Sequence, residues 1–383
     1  MIQLGKYLKG DRTLWIIVIL MLLGSIPLTY SAMGKTVFTG ISPDYVSPLM
    51  KRIVFTIMSI GIIITMQYVS YKTLNKYSAF FYIITILLLA ITALAGNEAN
   101  EAKRSLSLPF LNISFQTSAF AKVAVIMFVS SLLSNEYNDE VKRRKNADKA
   151  LIATAIVVFL TLPFGLSTTI IIVGSVFTML VLIRVNRKYI LKRLGQFVGA
   201  AAGYMIIAEI FKLPFRTSTW GNRISTWWHG FSCNQANAIN NQACIAKSAI
   251  ADGGLFGRGI GDSPLRYVLP EASSDFIYAH IINEMGIITG LIILIFYLII
   301  FYRGIQVAKA MDKTFPMFLA LGLTLMITMQ AFLNIGVSIG LLPVTGQPLP
   351  LISVGGSSML ATSMAIGIII QISTHSMSNQ KAK

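Results

Sequence analysis

Long uninterrupted apolar runs, each close to the thickness of a bilayer core, recur at approximately residues 13–33, 50–69, 77–96, 116–134, 150–164, 166–184, 194–213, 275–302, 314–336 and 357–374. Their length and apolar character predict about ten membrane-spanning helices. Two stretches break the rhythm. Residues 214–274 form a polar connection far longer than most, and the patches STWGNR, STWWHG, DGGLFGRGIGD and RYVLPEASSD predict an ordered cap. Residues 334–358, NIGVSIGLLPVTGQPLPLISVGGSS, stay hydrophobic yet carry so much Gly and Pro that no regular helix is expected there. Irregular backbone at membrane depth persists where protein buries it or where it lines a cavity. The segment is therefore expected to re-enter the bundle and to present backbone amides to a ligand; an external loop with turns is the competing reading.

Composition narrows the class. With 55% hydrophobic and 12% charged residues, the expected fold is an all-α polytopic membrane protein, a single domain over 1–383 without linker-like sequence. The formal net charge of +17 reads as topogenic, not as a nucleic-acid footprint. Basic residues crowd the termini and segments 70–76, 135–149, 184–193 and 303–313, chiefly as KRRK (142–145) and RVNRKYILKR (184–193). Those segments and both termini are predicted to be cytoplasmic, which leaves 214–274 as one large external loop between helices 7 and 8. KYLKGDR leads into the first run without a small-residue cleavage site, so that run is expected to be a span and not a cleaved leader. The two cysteines, Cys233 and Cys244, then face the oxidising side, where a local disulfide would staple the loop.

Ionisable groups supply the candidate chemistry. Asp275, in LPEASSDFIYAHIINEMG, lies where the long loop meets a span, able to stay charged in water while reaching a substrate held in lipid. Lys122, Glu209 and Glu284 fall inside spans, and each should face a partner or a wet cavity. For Lys122 two readings compete: an ion pair with one of the glutamates, or a cation for an anionic substrate group. GGLFGRGIG lacks the GK[ST] ending of a nucleotide loop. His229, His280 and His375 are too scattered for a metal site.

Four ordered motifs carry a resemblance. QTSAFAK (116–122), QACIAKSAIADGGLFGRGIGDS (242–263), LPEASSDFIYAHIINEMG (269–286) and the 334–358 segment resemble QPSEFAK, the Gly-rich loop, LPEAHTDFIFAxxxEExG and NIGMxxGLLPVTGxPLPFxSYGGSS of the SEDS family, which includes FtsW, RodA and SpoVE. Over nearly the whole chain, the resemblance implies a peptidoglycan glycosyltransferase in the inner membrane that polymerises lipid II, an undecaprenyl-pyrophosphate-linked disaccharide pentapeptide. Asp275 takes the place of the family's loop aspartate and is expected to be the general base for the acceptor hydroxyl. Lys122, Arg104, Arg223, Lys247, Arg258, Glu271, Gln116 and Ser357 are the substrate-binding candidates, with a helix-capping role competing for Glu271 and a loop ion pair or lipid-headgroup contact for the single arginines other than Arg223. The implied partners are a class B penicillin-binding protein, FtsI-like, with division proteins and membrane lipids. The implied chemistry is compatible with a divalent cation, Mg or Mn, at the pyrophosphate, although no ligand cluster in the sequence specifies one.

The SDFIYA form is similar to FtsW-type members from Bacteroidetes and favours a septal role over a RodA-type elongation role. Ala119 departs from the family pattern, which has a glutamate there, so a family ion pair to Lys122 is missing. A lipid II flippase is the alternative class. It would need polarity through the full bilayer depth, whereas the fifth and sixth runs are almost wholly apolar.

Overall fold

The computed structural model describes residues 9–32, 46–95, 97–99, 102–108, 113–162, 165–183, 185–210, 217–229, 238–263 and 272–381. Every apolar run becomes a helix: α1 (Arg12–Ala32), α2 (Val46–Tyr68), α3 (Tyr71–Ala95), then, after a short sheet, α4 (Thr117–Ser134), α5 (Glu140–Thr161), α6 (Leu166–Leu182) and α7 (Arg187–Ile210). Two helices, α8 (Thr217–Trp228) and α9 (Ala238–Gly253), lie in the long connection, and α10 (Ile277–Lys309), α11 (Thr314–Ser338) and α12 (Gly356–Lys381) complete the bundle. Among the described residues, seven helices are long and apolar enough to cross a membrane; in lipid a helix satisfies its own backbone hydrogen bonds.

The expectation of an all-α fold needs one correction. Residues 97–115 contain a small antiparallel sheet, β1 (Asn97–Ala99), β2 (Ala102–Leu108) and β3 (Ile113–Phe115), in the order β1-β2-β3. Boundaries shift too. α5 starts ten residues before its apolar run, because the Asp139 carboxylate caps it by accepting from the amides of Val141 (2.9 Å) and Lys142 (3.2 Å).

α11 and α4 are the most central elements, α11 packing on α10, α4, α6 and α12. Its buried Phe318, Leu319, Leu323 and Ile327 join Ile126 of α4 and Met179 of α6 in one continuous core. α2 packs on α12, and α9 packs on α10.

The Gly/Pro segment is less irregular than expected. α11 continues through Asn334–Ser338 and α12 starts at Gly356, so only 339–355 lacks helix. α11 ends where Gly340 adopts φ +77°, with the Gly340 amide bonded to Val337 O (3.0 Å) and the Leu341 amide to Gly336 O (2.8 Å). This pair of bonds closes the last turn around a left-handed residue, a position that glycine occupies without steric cost.

Candidate functional site

The Gly-rich loop turns out to splint a broken helix. α10 is interrupted at Gly286 (φ 83°, ψ 168°), which frees backbone groups on both sides of the break. The loop after α9 satisfies them: the Arg258 and Gly259 amides donate to Asn283 O (3.0 Å) and Glu284 O (2.9 Å), while the Ile287 amide donates to Gly254 O (3.0 Å). Asn283 reinforces the junction by donating to Ala249 O (2.8 Å) and Asp252 Oδ2 (3.1 Å). Arg258, a substrate-binding candidate from sequence, is paired with Asp252 at this splint, as the loop ion-pair reading anticipated.

Asp275 lies in the turn just before α10 and is half-buried. Three consecutive carbonyls of that turn are held by the 334–358 segment. The Val354 amide donates to Ser273 O (2.9 Å), Ser353 Oγ to Ser274 O (2.6 Å), and Asn334 Nδ2 to Asp275 O (2.8 Å). Two motifs separated by some sixty to eighty residues thus form one unit. The amides expected to be open to a ligand are partly committed inside it, since Ile352 and Ser353 both donate to Leu349 O, and Leu349 N donates to Ser353 Oγ.

Lys122 is buried in α4, and its ammonium donates to Gln330 Oε1 of α11. Gln330 Nε2 in turn donates to Pro348 O (2.8 Å). Among the described residues, no carboxylate lies within ion-pair distance of Lys122; of the two glutamates expected as partners, the Glu209 side chain lies outside them. Glu284 is engaged elsewhere, accepting from Ser31 Oγ (2.5 Å) and the Gly261 amide (3.1 Å) and lying 3.3 Å from His280 Nε2. Gln330 sits one helical turn before Asn334, so the buried cation is close to the strapped Asp275 turn.

Other candidates divide. The Gln116 amide donates to Ser357 Oγ (3.0 Å), which joins the start of α4 to the start of α12. The first amides of α12 have no acceptor within their own helix and favour an anion. Arg223 on α8 donates to Val344 O (3.2 Å) of the irregular segment. Lys247 on α9 is exposed and lies over Gly340, where a Cβ would come 2.0 Å from its Cε. Arg104 falls on β2, while its side chain, that of Glu209, and Glu271 lie outside the described residues. Cys244 is disulfide-bonded; Cys233 lies outside them.

Beside Gln347 is a narrow crevice of about 30 Å³, among whose lining residues are the hydroxyl- and amide-bearing Thr92, Gln116, Thr117, Ser118 and Thr168. A second cavity, an apolar groove of about 870 Å³, runs between α3, α5 and α7 past Ile86, Ile152, Phe159 and Phe197. Among the described residues no group of three or more His, Cys, Asp or Glu side chains is placed to hold a metal, so these residues by themselves do not fit a protein-held divalent ion. Sequence reasoning missed Arg52, Gln330, Asn334, Gln347 and Ser353. The last three lie inside the 334–358 motif, whereas Arg52, near the start of the 50–69 run, is not singled out by sequence among the ionisable groups inside spans.

Known proteins share this organisation. The family model described as cell cycle protein, covering FtsW, RodA and SpoVE, matches residues 11–378. The chain is 28% identical to stage V sporulation protein E of Bacillus subtilis over 97% of its own length and 99% of that protein. It is 33% identical to the probable peptidoglycan glycosyltransferase FtsW of Dichelobacter nodosus, over 76% of this chain and 71% of the relative. Among solved structures, a chain of a peptidoglycan synthase complex superposes with a TM-score of 0.74 at 20% identity, covering 96% of this chain and 98% of that one. The rod shape determining protein RodA of Thermus thermophilus gives 0.67 at 20% identity with the same coverage.

Proposed function

This chain belongs to the FtsW/RodA/SpoVE family, and we propose that it is a peptidoglycan glycosyltransferase that polymerises lipid II, with Asp275 as its general base. The observation that carries the assignment is the strapped turn: a half-buried carboxylate residue whose backbone is held by Asn334, Ser353 and Val354, near a buried cation that has no carboxylate partner among the described residues.

The chemistry follows from these parts. The Asp275 carboxylate takes the proton of the acceptor sugar hydroxyl as its oxygen attacks the donor's anomeric carbon, and the bond from that carbon to the pyrophosphate breaks. A positioned base contributes roughly 10² to 10⁴ in rate. The departing pyrophosphate needs positive charge more than a strong acid. Lys122 supplies it, with the amides at the start of α12 adding partial charge. Gln116 and Ser357, joined at that helix start, are the neutral contacts; Arg223 and Lys247 flank the irregular segment from the cap. The apolar groove between α3, α5 and α7 offers a seat for a polyprenyl chain.

In this reading all ten long helices span the inner membrane, both termini are cytoplasmic and the Asp275 end is external. Cell division is the proposed setting, with a class B penicillin-binding protein as partner. That partnership is supported by the fold shared with a chain of a peptidoglycan synthase complex.

The test is glycan synthesis from lipid II by purified protein, alone and with its transpeptidase, with products resolved by size. Wild type is expected to make chains and an equally folded Asp275→Asn none. Equal chain yield from Asp275→Asn would remove the base assignment. Lipid II translocation without polymerisation by wild type would replace the enzyme with a flippase.

A further inference from the structure

The second buried cation of the bundle has a different kind of environment. Arg52, in α2, is 5% exposed, and among the described residues no carboxylate is within ion-pair distance. A buried charge must be matched by other polar groups. Here these are mostly backbone carbonyls: Nη1 donates to Ser353 O (2.9 Å), and Nη2 to Leu351 O (2.9 Å) and Ile352 O (3.0 Å), with Ser25 Oγ of α1 as a further acceptor.

The three carbonyls belong to a tight turn, in which the Ile352 and Ser353 amides donate to Leu349 O and Leu351 adopts φ +67°, a left-handed conformation that a bulky residue rarely takes. Such backbone persists only when its surroundings over-determine it. The guanidinium is one determinant. Tyr297, whose hydroxyl donates to Pro350 O at 2.5 Å, is another.

The residue at the end of this clamp faces two ways. Ser353 gives its carbonyl to Arg52 and its hydroxyl to Ser274 O, while the next amide, Val354, holds Ser273 O. A continuous path of hydrogen bonds therefore runs from Arg52 through 351–354 to the turn that carries Asp275. We propose that Arg52 is a positioning residue for Asp275: it sets the conformation of 351–353, and through Ser353 and Val354 it sets where the carboxylate stands. This rests on Asp275 being the base. An ammonium at position 52 would not serve, because a single flexible point charge cannot replace a planar fork that reaches several fixed acceptors.

The experiment compares steady-state lipid II polymerisation by wild type, Arg52→Lys, Arg52→Gln, Ser353→Ala, the Arg52→Gln/Ser353→Ala double variant and Asp275→Asn, each checked as monodisperse. Misplacing a base by about 1 Å costs up to roughly 10²-fold, so both Arg52 variants are expected to lose about 10- to 100-fold in kcat with KM within about twofold. The double variant is expected to be no slower than the slower single one, since both residues act along one path. A folded Arg52→Gln with wild-type kcat, a change in KM alone, or losses that multiply in the double variant would each overturn the proposal. Should Arg52→Gln fail to fold, Ser353→Ala carries the test from the other end, and an unchanged kcat there overturns it. An inactive Asp275→Asn beside fully active Arg52 variants removes this inference only. An active Asp275→Asn removes the assignment of the base beneath it.

Discussion

Asn334 Nδ2 donates both of its protons to main-chain carbonyls, one to Asp275 O at 2.8 Å and one to Gln347 O at 2.7 Å. A single amide, 1% exposed, thereby joins the turn before α10 to the irregular segment after α11. Replacing it with Leu, close in shape but without a donor, strands two carbonyls. Each stranded buried acceptor costs about 1–3 kcal/mol. Asn334→Leu is therefore expected to melt at lower temperature than wild type and to lose most polymerisation even when folded. Thermal unfolding in detergent, paired with a lipid II assay well below the transition, checks both parts; a variant with unchanged stability and rate would show that the bridge is dispensable.

Among the described residues Lys122 meets an amide oxygen at Gln330 and no carboxylate, which leaves its charge available to a substrate phosphate. Gln330→Glu would give the ammonium a carboxylate of nearly the same shape, and hydrogen bonds between ionised partners are roughly twice as strong as neutral ones. The expected outcome is a protein at least as stable as wild type with activity down about tenfold or more, because Lys122 is held by its new partner. Lys122→Met should lose activity chiefly in kcat, since the charge it supplies is needed as the pyrophosphate departs. Full activity in either variant would rule out Lys122 as the pyrophosphate cation.

Gly286 has no room for a side chain: a Cβ there would sit 2.1 Å from Leu255 O, at a φ of +83°. Gly286→Ala must push the Gly-rich loop off the break in α10 and expose the carbonyls that it covers. A loss of more than about 3 kcal/mol is expected, combining backbone strain with unsatisfied groups. Limited proteolysis between α9 and α10 should accelerate before the rest of the bundle unfolds. A protease-resistant Gly286→Ala with wild-type melting would contradict the splint.

The disulfide at Cys244 lies on α9, which carries Lys247 and leads into the splint, and its expected role is to staple the cap without taking part in the reaction. Cys244→Ser is expected to lower stability by about 2–4 kcal/mol, the usual effect of losing a native bridge. Its rate should stay within about twofold of wild type at temperatures where the cap is folded. The same comparison with and without reductant on wild-type protein provides a second readout. A selective loss of kcat without a loss of stability would give the bridge a role in the reaction.

Much of this architecture is a property of local sequence. Apolar length is read directly as helix, because lipid offers the backbone no other hydrogen-bond partners, and all ten runs are helical. The Gly/Pro density after Ser338 marks a real interruption, and Asp275 stands at the loop-to-helix boundary where its motif placed it. The limits are equally physical. Asp139 extends α5 through a cap that hydropathy does not register. GGLFGRGIG could be recognised as glycine-rich, but its purpose lies in carbonyls some thirty residues away, freed by a break in another helix. Arg52 sits near the start of the 50–69 run, and hydropathy alone does not set it apart. Its meaning comes from carbonyls about 300 positions along the chain. Hydropathy records how much of a residue must leave water, whereas the partner of a buried polar group is whichever atom the packed bundle brings within about 3 Å.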